Sequence, residues 1–151
     1  MNKKDRKKRI QQLIESQRFA VIATENNRKP YMNLVAFAST DDLRVFIFST
    51  KQDTQKYLNI TENNNIAVLI DNRQNTPADL SNAVAVTAYG TAYETKNQKK
   101  EYQQLLLRKH PDLAAFLDDP SCVLIEIRVR SYQVVEQFEN VNVVKMTDRE
   151  N

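Results

Sequence analysis

The strongest constraint in this sequence is a series of short apolar segments, each followed by turn-forming residues. The segments are rich in β-branched and aromatic residues, and their lengths suit strands rather than helices. They lie at residues 19–24, 31–38, 43–50, 66–70, 83–94 and 122–138. Bare strand edges aggregate, so strands of this length must close or be covered. The sequence therefore predicts a mainly β, α+β chain built on an antiparallel barrel or sandwich.

Details within these segments refine the prediction. Residues 66–70 (IAVLI) are wholly apolar, so we expect this strand to be buried on both faces. Gly90 lies inside the fifth segment, where a glycine predicts a β-bulge or a close approach by another backbone. Helical stretches are predicted at 53–63 and 97–117, and Pro111 divides the second into two helices.

Composition bounds the chemistry. A chain of 151 residues fits a single domain, here residues 1–151. With one Cys, one His and one Gly, the sequence excludes an internal disulfide, a multi-histidine metal site and a glycine-rich nucleotide loop. No apolar run approaches the roughly 20 residues of a membrane helix, and we identify no signal peptide. We therefore expect a cytoplasmic protein without a metal and without a membrane partner.

Positive charge is concentrated at the start of the chain. Residues 1–10 hold six basic side chains against Asp5, a local charge of +5, so the remainder of this +3 chain carries −2. Ile10 and Leu13 follow at helical spacing, which predicts a short docking helix. We expect its basic arm, residues 1–9, to be solvated and frayed, because cations are unfavourable at a helix N-terminus.

The alternative is a nucleic-acid or regulatory protein that uses this arm. Nucleic-acid binding favours basic residues spread over a surface, so we expect no nucleic-acid partner.

The segment FSTKQDTQKY, residues 48–57, is the main candidate for chemistry. It places hydroxyl groups and lysines where a strand ends and a helix begins. These residues are Ser49, Thr50, Lys51, Thr54 and Lys56. A helix N-terminus presents free N–H groups and the positive end of the helix dipole, which suit an anionic group such as phosphate. The alternative is structural, with Asp53 or Thr54 as an N-cap and solvated lysines.

A second candidate is the turn Asp71-Asn72-Arg73, which follows the fourth strand. In a functional interpretation Asn72 or Arg73 reaches a ligand or a neighbouring chain, and in the alternative the turn is an Asx turn with a surface arginine. We expect His110 to cap a helix C-terminus and Cys122 to be a small core residue. No Ser-His-Asp grouping and no carboxylate pair stands out, so we predict no catalytic side chain.

The order of these segments resembles the pyridoxamine 5′-phosphate oxidase-like family of FMN-binding split barrels. The resemblance rests on FAVIAT, YMNLVAFAST-DD, LRVFIFST, TQKYxNI, ENNNIAVLIDNR and AVTAYGTA, and it covers residues 8–145. Its most specific part is the stretch 43–73. The resemblance implies a six-stranded antiparallel split β-barrel with short flanking helices, which forms a homodimer with two FMN sites between the chains.

The resemblance also implies which residues hold the cofactor. Family members bind the FMN phosphate with the end of the third strand and the start of the next helix. Their second strand lies along the flavin ring, mostly through backbone atoms. The matching positions here are Leu34, Val35 and Ala36 for the ring, and Ser49, Thr50, Thr54, Gln55 and Lys56 for the phosphate. Asn72 and Arg73 match a post-strand motif that serves the interface or the partner's flavin.

Two departures from the family bear on function. Gln55 stands where the family often has Arg, which removes one cation, although the Gln55 amide can still donate and Lys51 can compensate. The sequence ends at Asn151 without the Arg- and His-bearing segment that vitamin B6 oxidases use, so we do not expect pyridoxamine phosphate as the substrate. The resemblance thus implies an FMN-dependent oxidoreductase that transfers hydride or electrons between a reduced nicotinamide and an unknown acceptor. The alternative is a non-catalytic protein of the same fold that binds haem, a deazaflavin or flavin.

Overall fold

A closed ring of antiparallel strands forms the centre of the fold in the computed structural model, which describes residues 1–146. The strands are β1 (Phe19–Asn26), β2 (Lys29–Ser39), β3 (Val45–Lys51), β4 (Asn65–Asp71), β5 (Val84–Glu94), β6 (Cys122–Glu136) and β7 (Asn140–Lys145). Neighbouring strands follow the order β3-β2-β1-β4-β5-β6, and β6 pairs back onto β3. The predicted six-stranded antiparallel barrel is therefore confirmed. The predicted single domain extends to Asn151, and its residues 147–151 lie outside the described residues.

Helices flank this barrel. They are α1 (Lys3–Ser16), α2 (Gln55–Glu62), α3 (Asp79–Asn82), α4 (Lys99–Lys109) and α5 (Ala114–Asp118), with a 3-10 turn at Pro111–Leu113. Pro111 divides the long helical stretch as predicted, since proline lacks an N–H and its ring clashes with the preceding turn. The short helix α3 and the strand β7 were not among the predicted elements.

Helix α1 begins at Lys3 and so includes the basic residues of the arm, whose fraying stays a prediction. Asn2 is its N-cap, and the side-chain oxygen of Asn2 accepts a hydrogen bond from the Asp5 N–H at 2.9 Å. Such a cap satisfies a donor that would otherwise have no partner and so stabilises the first turn. Further along, Ile10 and Leu13 are buried against the barrel, as the helical spacing predicts.

The inside of the barrel is apolar and rich in aromatic rings. The ring centroid of Phe46 lies 5.5 Å from that of Phe37 and 6.2 Å from that of Tyr132. Tyr132 donates its hydroxyl to the carbonyl of Leu43, and burial raises the pKa of Tyr132. Buried tyrosines normally find such a partner. A second, smaller core lies beneath α4, where Ile47 is fully buried.

Strand β4 differs from its prediction. Ile66, Val68 and Ile70 are buried in the core, whereas the alternate residues Ala67 and Leu69 are only partly buried. The strand therefore buries one face, not both. The wholly apolar sequence has a second consequence, because it gives the outer side of β4 an apolar surface.

The last predicted strand also needs correction. The sequence predicts one strand to residue 138, whereas β6 ends at Glu136 and a turn leads into β7. Gln137 and Phe138 have φ values of 52° and 59°, in the left-handed region that non-glycine residues rarely adopt. Neither residue is a usual turn former, so the sequence pattern gives no signal for this hairpin.

The bulge predicted at Gly90 is confirmed. The register between β5 and β6 shifts at Gly90, which leaves Arg130 of β6 as an extra residue without a partner on β5. A Cβ atom at position 90 would lie 2.4 Å from the carbonyl oxygen of Arg128. Only glycine therefore allows the two strands to approach this closely.

Candidate functional site

Strands β2 and β3 pair over only three residues each and then part. The same register would set Val35 opposite Thr50, but within residues 1–146 no pairing of β2 with β3 continues there. Along its other edge β3 stays paired with β6 as far as Lys51. The barrel is thus split at this point. Backbone groups of β2 on this side face an opening rather than a neighbouring strand, and we call it the β2–β3 opening.

A pair of threonines joins the end of β3 to the start of α2. The hydroxyl oxygens of Thr50 and Thr54 are 2.9 Å apart. Both hydroxyls also reach the carbonyl oxygen of Lys51, Thr54 at 2.9 Å and Thr50 at 3.3 Å, so either hydroxyl can donate to the other. The Thr54 oxygen also accepts from the Tyr57 N–H at 3.3 Å, which makes Thr54 the N-cap of α2. The structural alternative for Thr54 is therefore realised.

The first turn of α2 leaves donors free for an anion. First-turn N–H groups have no intrahelical acceptor, and the Thr54 cap satisfies only that of Tyr57, so those of Gln55 and Lys56 remain. The Lys56 side chain is half-buried and has no ion-pair partner among the described residues. Burial lowers the pKa of Lys56, because the charged form is partly desolvated. Two N–H groups and one ammonium group therefore lie at the positive end of this helix.

The Gln55 side chain is engaged within the protein. Its Nε2 donates to Asn59 Oδ1 at 2.7 Å, and the fully buried Asn59 donates in turn to Thr24 at 3.0 Å. This chain of bonds ties α2 to β1. One hydrogen of this amide is therefore used inside the protein, and donation by the second one to a ligand stays a prediction, alongside the backbone N–H of Gln55.

Two predicted polar residues point away from the threonine pair. Lys51 forms an ion pair with Asp119 at 3.6 Å, and its compensation for the missing arginine stays a prediction. Ser49 lies on the opposite face of β3 from Thr50, because side chains alternate along a strand. Burial raises the pKa of the Cys122 thiol, and a hydrogen bond with Ser49 partly offsets that shift. Cys122 is buried, as predicted for a small core residue.

The β2 residues beside the opening differ in exposure. Leu34 is 69% exposed on the outside of the barrel, Val35 is buried inside it, and Ala36 is half-buried. The preceding residue, Asn33, has a buried side-chain oxygen with no hydrogen-bond partner among the described residues. A buried polar atom without a partner is rare in folded proteins. The edge of the opening thus combines apolar surface with an unsatisfied acceptor.

Asn72 and Arg73 do not join the threonine pair within one chain. The Asn72 side-chain oxygen accepts from the Val84 N–H at 2.8 Å, and Arg73 pairs with Asp71 at 3.1 Å. They follow β4, which is two strands from β2 in the sheet order, or roughly 10 Å at the usual strand spacing. The Arg73 N–H also donates to Asp71 Oδ2 at 3.2 Å, which forms the predicted Asx turn.

His110 occupies the predicted C-cap position of α4 and is buried. Its Nε2 lies 2.9 Å from the carbonyl oxygen of Phe37, which is 73 residues away in the sequence. Within residues 1–146 no group of three or more His, Cys, Asp or Glu side chains is arranged to hold a metal ion. None of the helices in this described part is long and apolar enough to cross a membrane.

The parted strands and the capped helix start beside them define a split β-barrel protein with a polar, partly cationic edge on its opening. The sequence profile of pyridoxamine 5′-phosphate oxidase matches residues 7–136. The chain belongs to the pyridoxamine 5′-phosphate oxidase family, as the sequence resemblance indicated. Among curated proteins, no sequence gives a significant match.

Solved structures share this fold at low sequence identity. The heme binding protein of Mycobacterium smegmatis has a TM-score of 0.82 at 12% identity, over 92% of this chain and 57% of that one. ChuZ of Campylobacter jejuni has a TM-score of 0.81 at 13% identity, over 97% and 61%. General stress protein 26 of Bacillus anthracis has a TM-score of 0.71 at 22% identity, over 93% and 98%. This chain spans about three fifths of the first two proteins, and at these identities the likeness is one of fold.

Proposed function

We propose that this chain is an FMN-binding flavoprotein that transfers hydride or electrons between a reduced nicotinamide and a second substrate. The observation that carries the proposal is the free cationic start of α2 beside the β2–β3 opening. A phosphate needs N–H donors and a nearby cation, and the Gln55 and Lys56 backbone with the Lys56 ammonium supply them. In this account Thr50 and Thr54 fix the helix start, and the phosphate is held by the helix itself.

Membership of the family supports FMN as the group that fits this site. The flavin ring needs an apolar wall and backbone donors at its polar edge, and the unpaired side of β2 near Leu34 and Ala36 offers both. The unsatisfied oxygen of Asn33 is an acceptor beside the same strand. Bound FMN would supply the redox chemistry, whereas this chain's residues would bind and orient it.

We propose further that two copies of the chain form the complete site. The strand register sets Leu34 beside Val21 and Val21 beside Leu69, which makes an apolar row across the outside of β2, β1 and β4. Phe19 and Met32 extend this row and are 55% and 63% exposed. We call these five residues the outer apolar face. Monomeric proteins rarely expose a contiguous apolar patch of this kind, so we expect a second copy to cover it.

FMN titration of variant proteins tests the site. Thr50→Ala combined with Lys56→Ala should weaken FMN binding at least about tenfold, because a charge-assisted hydrogen bond contributes about 1.5–3 kcal/mol. The matched control is Thr61→Ala with Lys100→Ala, which removes the same groups from exposed positions. An unchanged dissociation constant in the first double variant would overturn the site assignment.

A second candidate function is a non-catalytic binding protein for haem, a deazaflavin or flavin. The fold likeness to a heme binding protein motivates it. The only histidine of the sequence, His110, is a poor candidate for a haem ligand, because its Nε2 already contacts the Phe37 carbonyl oxygen. Rapid mixing of the FMN-loaded protein with reduced nicotinamide separates the two functions. In an oxidoreductase the nicotinamide reduces the flavin, so the visible flavin absorbance falls within the time of one catalytic turnover. In a carrier the visible absorbance stays unchanged.

A further inference from the structure

A separate cationic groove lies on the outside of the barrel, where β3, β5 and β6 meet. It encloses a cavity of about 760 Å³, within the range of sites for small molecules. Its charged lining consists of Arg44, Lys96, Arg128 and Arg130 with Glu94 and Glu126. Val45 lines it, and Thr50 follows five positions later on β3, or about 17 Å along the strand. The groove is therefore distinct from the β2–β3 opening.

The single glycine of the chain lies next to this groove, beside Thr91 of its lining. Gly90 lets β5 and β6 approach, and the resulting bulge leaves Arg130 as the extra residue on β6. The bulge shifts the alternation of the residues that follow it, so the buried positions pass from Ile127 and Val129 to Tyr132 and Val134. Arg128 and Arg130 precede that shift and are two residues apart, so their side chains lie on the same face, and both line the groove about 7 Å apart along the strand.

Two of the arginines are held in position before any ligand arrives. The guanidinium carbon of Arg128 lies 4.2 Å from the ring centroid of Tyr93, and Arg130 Nη1 donates to Thr91 Oγ1 at 3.0 Å. Both side chains remain exposed. Ordering a long arginine side chain costs conformational entropy, so an arginine that is already held loses less on binding.

The acidic residues of the groove already have partners. Glu126 accepts from Arg128 Nε at 3.3 Å, and Glu94 accepts from the Tyr57 hydroxyl at 2.8 Å. Four cations against two anions leave a net charge of +2 on the groove. Lys96 is exposed and has no ion pair among the described residues. The groove thus offers fixed guanidinium groups and one flexible ammonium group to an anionic ligand.

We propose that this groove binds a small polyphosphate, such as the phosphate chain of a nucleoside di- or triphosphate. Guanidinium groups bind phosphate oxygens through two parallel hydrogen bonds, and several groups spaced along one strand suit a ligand with consecutive phosphates. The proposal is independent of the flavin site, since it uses none of the residues at the β2–β3 opening.

Calorimetric titration of the full chain tests the proposal with three probes: tripolyphosphate, adenosine triphosphate and adenosine. Both polyphosphates should bind, with affinity that falls as salt rises, and adenosine should not. Equal affinity for the two polyphosphates would mean that the phosphate chain alone is recognised, and tighter binding of adenosine triphosphate would identify a nucleotide site. Failure of both polyphosphates to bind would overturn the proposal.

Two variants should move this affinity in opposite directions. Arg130→Gln should weaken tripolyphosphate binding on the order of tenfold. Glu126→Gln removes an anion and frees Arg128, so it should tighten binding, a gain that damage to the fold would not produce. The control Arg108→Gln removes an exposed arginine from α4 and should change nothing. Binding that is unaffected by the first two variants would contradict the groove assignment.

The flavin-site variant distinguishes this groove from the helix start of α2. Thr50→Ala with Lys56→Ala should leave tripolyphosphate binding unchanged, even though we expect it to weaken FMN binding. If that double variant lost tripolyphosphate instead, the polyphosphate would be binding at the start of α2, and the groove would not be a site. Failure of FMN to bind the native chain would leave the groove experiment unaffected.

Discussion

Thr50 and Thr54 share a hydrogen bond of 2.9 Å between their hydroxyl oxygens, which connects the end of β3 to the first turn of α2. Thr54 also caps α2 through the Tyr57 N–H. The end of a rigid strand therefore fixes the direction in which the free N–H groups of Gln55 and Lys56 point. In our account the threonines position the anion site, and the helix start with its lysine binds the anion.

Removal of the cap should destabilise α2. We expect Thr54→Ala to lower the free energy of unfolding by about 1 kcal/mol, because it removes both the N-cap and the bond to Thr50. Thr54→Ser keeps the hydroxyl and should stay close to the native value. Urea unfolding followed by far-UV circular dichroism measures both. Equal losses in the two variants would mean that the methyl group, not the hydroxyl, matters.

Charge on the outer apolar face should prevent dimer formation. Leu34→Glu places a carboxylate where we expect the second copy to pack, and burial of an unpaired charge is strongly unfavourable. Light scattering coupled to size exclusion should therefore give the monomer mass. Leu80→Glu is the matched control, since Leu80 is 68% exposed, much like Leu34, but lies on α3 outside this face. A Leu34→Glu protein that keeps twice the chain mass would contradict the proposed interface.

Lys109 should give stability a characteristic pH dependence. Its ammonium group lies 3.9 Å from the ring centroid of Phe37 and donates to the Ile14 carbonyl, and burial lowers the pKa of Lys109 to about 8. Between pH 8 and 10.5 the unfolded chain binds this proton more tightly than the folded chain does. The free energy of unfolding therefore rises with pH across this window. Below pH 8 Lys109 is charged in the folded chain, so the whole cost of burying its charge lowers the stability.

The measurement compares native protein with Lys109→Met in urea at several pH values. The difference in unfolding free energy should shift in favour of the native protein as pH rises from about 8 towards 10.5. Lys100→Met, at an exposed position on the same helix, should show no such trend. A difference that stays constant with pH would mean that the pKa of Lys109 is the same in the folded and unfolded chains.

Substitution of the single glycine should strain the barrel. Gly90→Ala adds a Cβ that would meet the Arg128 carbonyl oxygen at 2.4 Å, and overpacking of this kind typically costs about 1–3 kcal/mol. The urea midpoint should fall accordingly. Thr87→Ala, on the same strand but away from the bulge, should change it little. An unaltered midpoint for Gly90→Ala would mean that β5 and β6 do not approach as closely as described.

The barrel could be predicted from the sequence because its strands carry strong local signals. Apolar segments ending in Asn, Asp or Thr clusters fixed most strand positions to within two residues, and Gly90 marked the bulge. Strand β7 escaped prediction because its turn uses Gln137 and Phe138, which are not turn formers. The partial exposure of one face of β4 was not predicted, because an apolar sequence does not distinguish a strand face in the core from one on the outer surface.

The candidate site was predicted only in part. Local spacing correctly marked Thr54 as a helix start, since capping depends on near neighbours. Partners far apart in sequence carried no such signal, so the engagement of Gln55 by Asn59 and Thr24, and of Lys51 by Asp119, could not be foreseen. The same holds for the cationic groove, whose lining residues come from separate strands that only the fold brings together.

Sedimentation velocity of the protein with excess FMN, followed in the visible absorption band of the flavin, tests the central claim most directly. Our account predicts that the flavin absorbance moves with a species of twice the 17.5 kDa chain mass. Flavin absorbance that does not sediment, or that moves with a single chain, would contradict it.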